Sequence, residues 1–99
     1  MPKQIIWSPL SEKDFTIILT YLQTNWNDKV VQRFIAITVE ILEQISNNSK
    51  QFPLIHKKKK VRKCVLTKHN TIYYRERKEY IDVLRIFDSR QDPKKLRFG

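Results

Sequence analysis

Arg62, Lys63, Arg85 and Arg90 are the side chains of this sequence with the strongest means of gripping a polyanion. A guanidinium forms forked, paired hydrogen bonds to phosphate or carboxylate, which the single ammonium of a lysine cannot match. Arg62 and Lys63 are neighbours in a strand-like segment, so they point to opposite sides of a sheet. Arg85 interrupts an apolar strand segment, and Arg90 follows just beyond its end. The alternative role for Arg62 or Arg90 is an ion pair with Asp88 or Asp92. The run Lys57-Lys58-Lys59-Lys60 falls in a loop, keeps its rotamer freedom, and is expected to steer partners rather than hold them. Tyr73, Tyr74, Tyr80 and Phe87 interleave with Arg75, Arg77 and Arg85, a mixture that single-strand RNA readers use and that ordinary strands also show. His56, His69 and Cys64 have no metal-ligand spacing. No Ser-His-Asp order, paired-carboxylate geometry or glycine-rich phosphate loop can be read, so neither metal nor cofactor is expected.

The charge distribution gives those cations their context. The 99 residues carry a net charge of +10. Residues 1–56 contain five bases and five acids, whereas residues 57–99 contain fifteen bases and five acids, so the whole excess lies in the second part. A field of that sign attracts nucleic acid, a ribosome, an acidic protein or an anionic surface. The length suits one domain, residues 1–99, and a hydrophobic fraction of 40% is sufficient for a packed core. A lone cysteine, Cys64, permits no internal disulfide and reads as a small buried hydrophobe. No apolar run approaches the ~18 residues of a membrane span, and the N-terminus lacks a signal-peptide pattern. A cytoplasmic protein without membrane association is expected.

The elements that must position these residues follow from periodicity. Residues 3–7 favour a strand that Ser8-Pro9 stops. A helix follows, capped by Ser8 with Pro9 in its first turn, or by Ser11 with Asp14 three residues on. Its apolar face is Phe15, Ile18, Leu19, Leu22 and Trp26. Asn27 or Asp28 caps a second helix, with Val31, Phe34, Ile35, Thr38, Ile41, Leu42 and Ile45 on its buried face; Asn47-Asn48-Ser49 ends it. Three strands are then expected at 61–67, 71–75 and 80–87, the last apolar on both faces and therefore central. The order β-α-α-β-β-β predicts an α+β fold, with a helical hairpin on one face of a largely antiparallel sheet.

Ile6-Trp7-Ser8-Pro9-Leu10-Ser11-Glu12-Lys13-Asp14 resembles the opening of RelE/ParE toxins, where a strand meets a serine-containing turn and a helix with an early acidic residue. The helix pair through Asn25-Trp26, Val61-Arg62, Thr71-Ile72-Tyr73-Tyr74-Arg75 and the ending from Val83 through Arg90 to Pro93 fall in the same order. The resemblance covers nearly the whole chain. It implies the toxin of a type II toxin-antitoxin pair, neutralised by a cognate acidic antitoxin through which it could oligomerise. It also implies one of two targets: DNA gyrase for ParE-like members, or messenger RNA in the ribosomal A site for RelE-like endoribonucleases. Arg62 and Arg90 stand where the ribonuclease branch commonly has basic residues. Cys64 and Thr71, however, occupy positions often held by cations there, Asp88 replaces a common histidine, and the tail after Tyr80 contains neither Tyr nor His. Cleavage through a 2′-hydroxyl needs positioned proton transfer, so these departures favour the ParE-like expectation. A non-toxic basic nucleic-acid-binding module is the remaining alternative.

Overall fold

The computed structural model describes residues 2–98. A short strand β1 (Gln4–Trp7) leads into helices α1 (Pro9–Asn25) and α2 (Asp28–Asn47), then strands β2 (Leu54–His56), β3 (Val61–Thr67), β4 (Asn70–Glu76) and β5 (Tyr80–Asp88), and a 3-10 turn (Pro93–Lys95). The strands form one sheet in the order β1-β5-β4-β3-β2, antiparallel except where β1 runs parallel to β5. The fold is α+β, with the helical hairpin against one face of the sheet.

Local chemistry sets the helix boundaries. Ser8 caps α1, its Oγ accepting from Ser11 N at 3.0 Å, and Pro9 opens the helix where a missing N–H costs nothing. Ser11, the other capping candidate, is buried within the first turn. Asn27 caps α2 through Val30 N at 3.1 Å. Phe34, Thr38, Leu42 and Ile45 are buried along α2, and they meet Cys64, Leu66, Ile72, Tyr74, Ile81, Val83 and Ile86 from the sheet. Fully burying an aliphatic side chain such as Ile45, Ile72 or Ile81 contributes about 1.5–3 kcal/mol relative to leaving it exposed, and this interface is the core.

Three features differ from the sequence expectation. Trp26 does not join the buried stripe of α1; the helix ends at Asn25, and Trp26 serves as the C-cap with 65% of its surface exposed. Strand β2 was not expected, because three residues after Pro53 are too few to show alternation. It pairs with β3 and leaves its side chains exposed. Strand β5 lies between β1 and β4, an interior position consistent with burial on both faces, but the middle strand of the five is β4.

The connection from α2 to β2 is held by two side chains from beneath. Tyr74, fully buried in β4, donates its hydroxyl to the Ser49 carbonyl at 2.6 Å, and its ring meets Phe52 edge to face. Burial pushes the Tyr74 phenol well above its ordinary pKa. Arg62 donates to the Phe52 carbonyl at 2.7 Å. Tyr74→Phe therefore leaves a buried carbonyl without its donor and is expected to cost about 1–3 kcal/mol. Urea unfolding should show a lower midpoint with an unchanged slope; wild-type stability would place that carbonyl in contact with water.

Candidate functional site: a cationic sheet face and a helix groove

Strand β1 ends at Trp7, opposite Val83, so the edge of β5 from Leu84 onward has no strand beside it. The start of α1 covers that edge. Ser8 N donates to Val83 O and Ser8 Oγ donates to Leu84 O. Asp14, one turn further on, accepts from Ile86 N at 3.0 Å and takes Arg85 in a fork, Nε at 2.7 Å and Nη2 at 3.0 Å. Arg85 Nη1 then donates to the carbonyls of Lys95 and Arg97 at 3.2 and 2.8 Å. One buried guanidinium thus ties the first helix, the sheet and the C-terminal segment together.

Arg85 reaches this position through a bulge. Tyr73 pairs with Arg85 while Tyr74 pairs with Val83, which leaves Leu84 as an extra residue in β5. Before the bulge Ile81 and Val83 face the helices; after it Ile86 does, and Arg85 and Phe87 turn to the opposite, open face. A bulge shifts alternation in this way and re-aims the following side chain.

On the open face Lys63, Tyr73 and Arg85 form one row across three strands. Phe98 packs on Tyr73 with ring centroids 5.5 Å apart. Burial raises the Tyr73 phenol above its ordinary pKa. Beside this pair runs a groove of about 610 Å³ lined by Lys59, Arg75, Leu96, Arg97 and Phe98. Arg75 Nε donates to the Lys59 carbonyl at 2.8 Å, so the lysine run, which forms the turn between β2 and β3, is fastened to β4. Lys60 adopts a positive φ of 56° in that turn.

The helix side carries a second concavity, about 380 Å³, between α1, α2 and the turn from β3 to β4. Tyr21, Trp26, Phe34 and Ile37 line it with Arg33 and Arg90. Asn70 also reaches it: its Nδ2 donates to Thr67 Oγ1, while its buried Oδ1 has no hydrogen-bond partner. Arg90 makes a fork to Asp88, Nε at 3.0 Å and Nη2 at 2.7 Å, and lies 5.8 Å from the Tyr21 ring centroid. Those hydrogen bonds hold the Asp88 carboxyl below its ordinary pKa.

The four cations chosen from the sequence therefore separate. Lys63 is exposed on the open face. Arg85 shares its row but is only 9% exposed and spends its fork on Asp14, so its geometry is that of an anchor. Arg62 lies on the helix side, bonded to the loop carbonyls of Phe52 and Lys50 rather than to Asp88 or Asp92. Arg90, half exposed at its side chain, pairs with Asp88 and borders the helix groove instead of the open face. Sequence reasoning did not single out Lys59, Arg97 or Phe98 as groove residues, and only chain folding brings them together. Among the described residues, no group of three His, Cys, Asp or Glu is placed to hold a metal ion, and no helix is long and apolar enough to cross a membrane.

A helical hairpin on one face of a mostly antiparallel sheet is the fold of the toxins of the RelE/ParE superfamily. Residues 5–93 match the family described as the ParE toxin of the type II toxin-antitoxin system parDE, and the chain belongs to that family. Comparison with curated proteins finds no match. Among solved structures, the fold is similar to the chromosomal ParDE system from P. aeruginosa (TM-score 0.73, 16% identity, 87% of this chain and 95% of that one). It is also similar to the YoeB dimer from Staphylococcus aureus (0.63, 17%, 88% and 97%) and to the E. coli DinJ-YafQ toxin-antitoxin complex (0.59, 15%, 89% and 93%).

The contrast between Arg62 and Lys63 is testable by stability. Arg62→Ala frees the Phe52 carbonyl and is expected to cost about 1.5–3 kcal/mol, the range for a hydrogen bond to a charged donor, whereas Lys63→Ala leaves the melting midpoint unchanged. Equal midpoints for the two variants would remove the structural role from Arg62.

Proposed function

We propose that this chain, taken as one toxin domain over residues 1–99, acts in the cytoplasm by inhibiting DNA gyrase, and that an acidic antitoxin neutralises it. The ParE family match over residues 5–93 carries this reading. The open face supports it. Its groove is lined by Lys59, Arg75, Leu96, Arg97 and Phe98, side chains that supply charge and apolar surface. Tyr73 beneath them holds its proton more tightly than an ordinary tyrosine. Efficient general acid-base catalysis calls for a group titrating near the working pH, and this set is better suited to binding. Lys63 and the groove cations are proposed to face the target, with Arg62 and Arg85 supporting the surface from within and Arg90 at the rim of the helix groove.

The pure protein is expected to stabilise cleavage complexes when added to gyrase and supercoiled plasmid, and to leave messenger RNA on purified ribosomes intact. Codon-phased cleavage of that messenger RNA would transfer the assignment to the RelE-like endoribonuclease reading. Neither activity, with retained binding to nucleic acid, would transfer it to a non-toxic binding module.

The helix groove is proposed to take the antitoxin. It offers an apolar floor and two rim arginines, Arg33 and Arg90. The ParDE system and the DinJ-YafQ complex are similar folds described together with such partners. Attraction between a +10 chain and an acidic segment is screened over ~8 Å at physiological salt. Stopped-flow association is therefore expected to slow steeply as salt rises, with dissociation changing less. An association rate indifferent to salt would remove charge steering from the encounter.

A further inference from the structure

Arg85 is the least exposed arginine of the sheet, yet its bonds reach the chain's most cationic end. Two of its contacts go to Asp14 and two to the tail carbonyls of Lys95 and Arg97. A side chain engaged in this way does not touch a ligand; it fixes what carries the ligand's partners. The tail has little to hold it otherwise. Its 3-10 turn spans three residues, capped by Asp92 through Lys94 N at 3.0 Å, and a turn of that length is weak alone. From Lys95 onward, the described anchors to the rest of the fold are the two Arg85 bonds and the packing of Phe98 on Tyr73.

The same device recurs on the other wall of the groove. Arg75 holds the lysine turn by the Lys59 carbonyl, as Arg85 holds the tail by the Arg97 carbonyl. In each case a strand arginine grips the backbone of a segment outside the strands, leaving that segment's own cationic side chain free to line the groove. Preassembly matters here, because lysine and arginine side chains lose rotamer entropy on binding and a mobile tail would lose backbone entropy as well.

We propose that Arg85 is a positioning residue that fixes the C-terminal segment, and that the cleft so assembled from Lys59, Arg75 and Arg97 beside Phe98 takes the backbone phosphates of the target's nucleic acid. The inference rests on the proposed target carrying nucleic acid, but its test uses neither gyrase nor ribosome. Failure of the target assignment and failure of the cleft are therefore separable.

The test measures binding of short fluorescein-labelled single strands, one DNA and one RNA, across a salt series. Each phosphate neutralised on a single strand contributes about 0.7 to the slope of log affinity against log salt. Arg97→Ala should lower the slope by about that amount. Arg85→Lys keeps the net charge and a partner for Asp14, but one ammonium cannot replace a fork to Asp14 and two tail bonds. It should lower the slope as far as Arg97→Ala does, and the double variant should go no lower. A drop in the DNA arm identifies DNA as the phosphate source, and a drop confined to the RNA arm identifies RNA. A wild-type slope for Arg85→Lys, or a double variant whose slope falls below that of Arg97→Ala alone, overturns the positioning role. An unchanged slope for Arg97→Ala overturns the cleft and needs no change at Arg85. Binding of an acidic peptide with no binding of either oligonucleotide overturns it in favour of a protein-facing surface.

Discussion

The Asp14–Arg85 pair is the constraint on which the arrangement of this molecule depends. Asp14 sits in the second turn of α1 and closes the uncovered edge of β5 through Ile86 N, while Arg85 carries the connection through the sheet to the tail. Burying two charges is costly, and an apolar pair of similar volume is often as stable, whereas removing one partner alone commonly costs about 3–5 kcal/mol. The benefit here is geometric. A fork fixes direction as well as distance, so the helix, the bulged strand and the C-terminal segment share one reference point.

The bulge at Leu84 makes this pairing available. Under strict alternation Arg85 would follow Ile81 and Val83 towards the helices, where a guanidinium would have to be buried among aliphatic side chains. One extra residue returns Ile86 to the core and gives Arg85 to the open face. The same shift places Phe87 opposite Thr71 on that face, where it is buried and lies 5.8 Å from the Arg85 guanidinium. Packing and polarity are thus reconciled by a local change in register.

The two concavities differ in the balance of forces they present. The helix groove is floored by aromatic and aliphatic side chains with arginines at its rim, one of them already neutralised by Asp88. Apolar burial would dominate affinity there, with charge acting mainly on the encounter. On the open face, Lys59, Arg75 and Arg97 belong to the turn, the middle strand and the tail, and their charge is concentrated beside a small aromatic patch. An acidic amphipathic segment suits the first surface and a phosphate backbone the second.

The sequence by itself determined the α+β class, the helical hairpin and strand β3, because each rests on periodicity within a few neighbouring residues; between Asn27 and Asp28 as the cap of α2 it did not choose. It left Ser8 and Ser11 as rival caps for α1, and the buried position of Ser11 decided between them. It also located the charge, since +10 in the second part of the chain is a matter of composition. Tertiary structure alone decided which cations are available. Arg62, Arg85 and Arg90 look equivalent in sequence, but their partners are Phe52 O, Asp14 and Asp88. Asp14 lies 71 residues from Arg85, and no local pattern encodes a contact at that separation. The parallel pairing of β1 with β5, the three-residue β2 and the bulge at Leu84 were hidden for the same reason: each is set by what lies beside the strand in space.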